Sequence, residues 1–337
     1  MIKLINFSVD PWDLDKFDND SEKILRFLEK HGLGGLEMIQ YGDWNNNRVV
    51  PKEMIIGNHT CFWPIWLDFF RDDKTELIRQ FGDEDAYRNY YGCSNKKEFV
   101  AYYRKELKKA ADLGAKYVLF HVSHTQIENC YTYDYPYDDA EITTAFIEMM
   151  NEILDDLSPS FDVLFENHWY PGLTYLDATI AKRLMTEIHY PRKGFVLDIG
   201  HLMNTNLELK SETEAVDYML DTLGGLNEFL QDIKVIHLNS SLSGEYVKSI
   251  IKKGRVDDSD QDFNQRYINL YGHIAQIDTH KPFMDSSINK VIALVRPEYL
   301  VYEFSTDSLA VLDGYIASQN AVVADYIWQL PPPFFSK

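Results

Sequence analysis

The chain alternates between two apolar patterns. Short apolar runs of strand length recur, and between them lie longer stretches whose apolar residues return at helical spacing. IKLINFSV opens the series. The stretch SEKILRFLEKHG then sets Ile24, Leu25 and Leu28 on one helical face and stops at Gly32, a residue suited to ending a helix. GGLEMIQ and MIIGNH supply the second and third runs. A long helical stretch ending in ELKKAADLGAK precedes the fourth, YVLFH, and AEITTAFIEMMNEILDDL precedes the fifth, VLFEN. LDATIAKRLMTEIH leads to FVLDIGH, and AVDYMLDTLGGLNEFLQD leads to KVIHLN. The eighth run, YLVYEF, is followed by a last helical segment, SLAVLDGYIASQNAVVADYIWQL.

Strand and helix repeated eight times imply parallel strands joined by helical crossovers. Eight such units fit an α/β fold of the closed (β/α)8 barrel type, with an open doubly wound sheet as the alternative. The first strand-to-helix turn has no GxGxxG, and no GxxxxGK[ST] occurs, so dinucleotide and P-loop nucleotide binding have no motif to rest on. Two connections are long, from about Thr60 to Lys116 after the third strand and from about Ser240 to Glu298 after the seventh. On a barrel such loop regions shape the substrate pocket. No stretch rich in Pro, Gly or Ser divides the chain, so residues 1–337 are expected to form a single domain. The tail QLPPPFFSK is expected to be an extended terminal segment.

Composition narrows the partners. With 45% hydrophobic residues in 337, a sizeable core is available. The net charge of -20 disfavours broad attraction to nucleic acid or an anionic membrane, although bound cations or a local basic groove would overrule the average. The three cysteines, Cys61, Cys93 and Cys130, are odd in number and lack CxxC spacing, as expected of thiols in a reducing compartment. The N-terminus reads as a first strand rather than a signal peptide, and no run approaches the length of a membrane span. The expected location is cytoplasmic.

The chemistry lies at the strand ends. The third predicted strand ends in His59, the fourth in His121 and the fifth in Glu166. The sixth carries Asp198 with His201, the seventh His237 and the eighth Glu303, while a loop between the last two carries Asp278 and His280 in an Asp-x-His spacing. A lone histidine after a strand is ordinarily a hydrogen-bonded structural residue, and a strand-terminal carboxylate is ordinarily a helix cap. Four carboxylates and five imidazoles at one barrel mouth are another matter, because desolvation and like-charge repulsion would cost several kcal/mol uncompensated. Divalent cations offset that cost directly, and this donor mix favours Zn²⁺, Mn²⁺ or Fe²⁺ over Mg²⁺.

The segments GNH, LFHVSH, LFENH, LDIGH, IHLN, DTH and YEF, in that order over nearly the whole chain, resemble the xylose isomerase-like TIM barrels, and within them the AP endonuclease family 2 (endonuclease IV-like) branch. The resemblance implies up to three zinc ions. His59, His121 and Glu166 would serve one ion; Glu166 would bridge to a second, completed by Asp198, His237 and Glu303; His201, Asp278 and His280 would hold the third. It further implies a metal-dependent hydrolase cleaving a phosphoester, on an abasic nucleic acid or a small phosphorylated sugar. The alternative is a sugar isomerase or epimerase in which Glu166 and Glu303 are the catalytic residues and move protons. Ketose epimerases of this kind usually carry an arginine shortly after the seventh-strand histidine, and HLNSSLSGEYVK has none. The chain also departs from the endonucleases. Ser240 and Leu242 stand where those typically have an acid and a lysine, KPF replaces a glycine-rich turn after Asp-x-His, and the loop before Asp278 carries the acidic run DDSDQD. These departures fall where the endonucleases meet DNA, so metal chemistry carries over better than the DNA substrate.

Several other residues invite a role. His124 and His168 follow His121 and Glu166 closely and are expected to border the pocket. Glu37 is expected to pair with a neighbouring side chain. Trp63, Trp66, Phe69 and Phe70 suit helix packing better than a stacking platform, YTYDYPYDD is placed for substrate contact, and His31 and His189 end predicted helices without a function.

Overall fold

All eight predicted runs form strands in the computed structural model, which describes residues 1–39, 49–158, 160–254 and 261–323. They are β1 (Ile2–Ser8), β2 (Gly35–Ile39), β3 (Ile55–His59), β4 (Tyr117–His121), β5 (Asp162–Glu166), β6 (Lys193–Asp198), β7 (Ile233–Leu238) and β8 (Tyr299–Tyr302). Every strand pairs in parallel with the next, and β1 pairs with β8, so the sheet closes in chain order. The open-sheet alternative is thereby excluded. Residues 257–260 of the acidic run, the end of the last helical segment and the tail from 329 lie outside the described residues.

Closure follows from the crossovers. Crossover helices packed outside the sheet make neighbouring strands parallel, and the pairing of Ile2–Ile5 with Tyr299–Tyr302 turns that sheet into a barrel. The helix Ser21–His31 shows the local logic: Asp20 accepts from the Glu22 N–H at its start, and Gly32 ends it at φ 64°. Its buried face is Ile24, Phe27 and Leu28, with Leu25 only half-buried, one position away from the expected stripe.

Side chains alternate across each strand, so residues two apart share a face. Leu119, Leu164, Val196, Val235 and Val301 pack with Leu4 and Tyr117 inside the barrel. Two residues beyond the first five stand His121, Glu166, Asp198, His237 and Glu303. The same pleat that fills the barrel with apolar residues therefore stacks a layer of polar ones on top, at the C-terminal mouth.

The two long connections fold into helices. The first forms Leu67–Phe70, Lys74–Phe81, Glu84–Tyr91 and Lys96–Leu113, and the second Gly244–Lys253, Phe263–Ile277 and Asn289–Val295. They pack on each other beside the mouth: Phe81 stacks on Phe263 at 4.2 Å, and Tyr90 Oη donates to Tyr267 Oη at 3.2 Å. No described helix is long and apolar enough to cross a membrane.

Candidate metal centre

Two groups of side chains at the mouth bring their donor atoms within 4.8 Å of one another: His59, His121 and Glu166, and Glu166, Asp198, His237 and Glu303. Glu166 belongs to both, through different oxygens. Its Oε2 lies 3.6 Å from His59 Nε2 and 3.4 Å from His121 Nε2, and its Oε1 lies 3.1 Å from His237 Nδ1. The remaining three residues meet at Asp278 Oδ2, which is 3.2 Å from both His201 Nε2 and His280 Nε2, while His280 Nε2 is 3.7 Å from Glu303 Oε2. All nine residues singled out in the sequence thus converge on one mouth.

Neighbouring groups fix how these donors point. His59 Nδ1 donates to the Thr60 carbonyl at 2.9 Å and His201 Nδ1 to the Asn167 carbonyl at 2.9 Å, leaving each Nε2 for the centre. Asp198 does both things a strand-terminal acid can do. Its Oδ1 accepts from the His201 N–H at 2.6 Å, capping the short helix Ile199–Asn204, and its Oδ2 faces inward. Asn239 donates to that Oδ2 at 2.9 Å and approaches Glu303 Oε2 at 3.3 Å. The approach needs Gly200, where a Cβ would lie 2.0 Å from Asn239 Oδ1. Ser241 Oγ donates to Asp278 Oδ1 at 3.1 Å and accepts from the Thr279 N–H at 3.0 Å, so the segment that departs from the endonuclease pattern clamps the Asp-x-His loop. His280 itself adopts φ 45°, an uncommon conformation for a side chain of its size.

The electrostatics are those of a cluster short of positive charge. Burial opposes charge on His237, but Glu37, Glu303 and Glu166 around it outweigh burial and hold it well above the ordinary histidine range. His201 is raised likewise by Asp198 and Asp278 against the burial penalty, and His280 is pushed up to about 10 by Asp278 and Glu303. Burial favours the neutral form of Glu303, yet His237 and His280 pull it well below the carboxylate range. Asp198 goes the other way, raised by burial and by Glu303, Asp278 and Glu166 in spite of His201. His121 is held well below its ordinary value by burial and by His59, His201 and His168.

These residues fit divalent cations. Glu166 is fully buried, and its Oε2 accepts no hydrogen bond although two imidazole nitrogens lie 3.4 and 3.6 Å from it. A buried carboxylate oxygen orphaned between imidazoles is a costly arrangement that a cation satisfies. His121 Nδ1 is also without a partner, its ring stacked on Phe62 at 4.5 Å.

Above the donors lies a cavity of about 660 Å³ whose wall includes Phe62, His168, Trp169, Tyr267, Tyr271 and Phe304. Both long connections contribute, as expected of loops at this face. No lysine or arginine occurs among the described residues that line it. The two histidines expected to border it separate. His168 lines the cavity, its Nδ1 accepting from the Tyr170 N–H at 3.2 Å. His124 instead is a buried structural residue whose Nδ1 accepts from Trp66 N–H and Leu67 N–H, both at 3.3 Å, and whose pKa burial lowers to about 4. Trp63, Trp66, Phe69 and Phe70 are buried in the core. The tyrosine-rich segment does not line this cavity, and its Tyr137 donates to the buried Asp68 at 2.5 Å. Glu37 does pair with a neighbour, and the neighbour is His237.

Residues 87–288 match the model of the xylose isomerase-like TIM barrel family. The chain belongs to that family. No curated protein sequence matches it. Among solved structures, endonuclease IV from Thermus thermophilus is similar at a TM-score of 0.53 and 13% identity, over 96% of this chain and 99% of that one. An L-ribulose 3-epimerase is similar at a TM-score of 0.50 and 11% identity, over 95% and 92%. At such identities the likeness is one of fold, and the two neighbours differ in activity.

Proposed function

We propose that this xylose isomerase-like barrel is a metal-dependent hydrolase that cleaves the phosphoester of a small phosphorylated sugar at a di- or trinuclear centre. The observation that carries this reading is the double use of Glu166, one oxygen for each donor group. A single-ion centre is complete with Glu166, Asp198, His237 and Glu303, and leaves the convergence of His59 and His121 on Glu166 Oε2 without a purpose. Cations held there, zinc by the donor mix or else manganese or iron, would polarise a phosphoryl oxygen and acidify a water. Glu303 lies at the same mouth, its Oε2 3.2 Å from His237 Nδ1 and 3.7 Å from His280 Nε2, and is the carboxylate placed to accept a proton there. His168 is held neutral by burial and accepts at Nδ1, so its Nε2–H is a donor available to a substrate oxygen. The size of the cavity, about 660 Å³, and the net charge of -20 favour a small substrate over an abasic nucleic acid.

One observation favours a second reading, sugar isomerisation or epimerisation. Glu166 and Glu303 both lie close to His237 Nδ1, at 3.1 and 3.2 Å, near enough for both to serve one small substrate, and the described wall offers a phosphate no lysine or arginine. Metal analysis of the purified protein, run with phosphate release from sugar phosphates and with a ketose panel, separates the two. The hydrolase predicts more than one transition metal per chain, a lower content in His59→Ala and His121→Ala, and phosphate release abolished by chelation and by Glu166→Gln. One ion per chain with ketose conversion would replace it by the isomerase.

A further inference from the structure

Glu37 lies outside the nine-residue donor set, yet it is fully buried inside the barrel and bridges strands that are not neighbours. From β2 its Oε2 accepts from Tyr117 Oη on β4 at 2.6 Å and lies 3.2 Å from His237 Nε2 on β7. Its Oε1 is also 3.0 Å from that nitrogen, without the angle of a hydrogen bond. Tyr117 reaches across because Gly57 on β3 has no side chain, since a Cβ there would lie 2.3 Å from the ring Cζ. An imidazole has two nitrogens, and a ligand needs one of them free of its proton. With Nε2 turned to Glu37, His237 Nδ1 is the atom left facing Glu166 Oε1 and Glu303 Oε2, at 3.1 and 3.2 Å.

We infer that Glu37 is a positioning residue of the metal centre: by engaging His237 Nε2–H it selects Nδ1 as the atom offered to the ion, and Tyr117 holds the Glu37 carboxylate in place. This rests on the metal-centre reading above. The test compares zinc affinity, by competition with a chromophoric chelator, in wild type, Glu37→Leu, Glu37→Gln and Tyr117→Phe, each checked for folding by its metal-free melting curve. Glu37→Leu is expected to bind about 10- to 100-fold more weakly, the usual cost of removing a partner that orients a ligand. Glu37→Gln keeps an acceptor for Nε2–H and is expected to recover most of that loss, and Tyr117→Phe to fall between. A folded Glu37→Leu that binds as tightly as wild type would overturn this inference alone, whereas a wild type that takes up no zinc would overturn the metal reading beneath it. If Glu37→Leu fails to fold, ¹⁵N correlation of His237 in the zinc-loaded wild type decides: a proton on Nε2 supports the assignment, and a proton on Nδ1 overturns it.

Discussion

A carboxylate at a strand end is ordinarily either a cap or a ligand, and Asp198 shows that the choice is not exclusive. One oxygen closes the first turn of a short helix while the other faces His237 at 3.7 Å. The histidines divide by their partners instead. His201, His237 and His280, each facing two or more carboxylates, have raised pKa values, whereas burial lowers His121, which also sits among His59, His201 and His168, together with His124 and His168. The pH dependence of the metal-free protein follows. A histidine raised above its unfolded value of about 6.5 contributes stability fully present below that pH and lost as pH rises through the folded value, about 10 for His280. Asp278 and Glu303 are depressed despite burial, Asp278 by His280 and His201, so their contribution is present above about pH 4 and lost as pH falls through their folded values. Metal uptake must displace the imidazole protons, so zinc binding at neutral pH is expected to release protons and to tighten as pH rises. Calorimetry in buffers of different ionisation enthalpy reads this directly, and a binding heat independent of buffer would count against it.

At the scale of the elements, the strand pattern explains why the donor layer was legible. Each of β4 to β7 places an apolar inward residue two positions before its donor, and β8 does the same with Val301 and Glu303, just past its end. The support residues were harder to find, because Asn239, Ser241 and Glu37 carry no spacing signal and act on partners 37 or more positions away. Gly57 is the element-scale dependence that follows. Gly57→Ala would drive a Cβ into Tyr117, and with both residues buried the barrel has little room to yield. A loss of roughly 1–3 kcal/mol is expected, as for other overpacked cores. Because Tyr117 holds Glu37, the variant should also weaken zinc binding. Equilibrium denaturation with the chelator competition checks both, and an unchanged midpoint would show that Tyr117 moves aside freely.

For the molecule as a whole, barrel closure is what concentrates charge. His237 on β7 lies 3.1 Å from Glu166 on β5 and 3.2 Å from Glu303 just past β8, and closure brings it a third carboxylate, Glu37 of β2, at 3.0 Å from across the barrel. Removing bound metal should therefore destabilise the entire fold rather than one loop. Each ion at about a hundredfold excess over its Kd stabilises by roughly 2.7 kcal/mol, so chelation is expected to lower the melting temperature by at least about 5 °C. Scanning calorimetry with and without chelator measures it, and coincident melts would argue against a resident metal. The sequence by itself determined the number and order of strands, the crossover helices and the identity of the nine convergent residues, because hydrophobic period and strand-end chemistry are local properties of the chain. Only the tertiary structure decided which Glu166 oxygen faces which donor group, that His124 is packing while His168 faces the cavity, and that Glu37 holds His237, because each depends on contacts between strands and loops far apart in the chain.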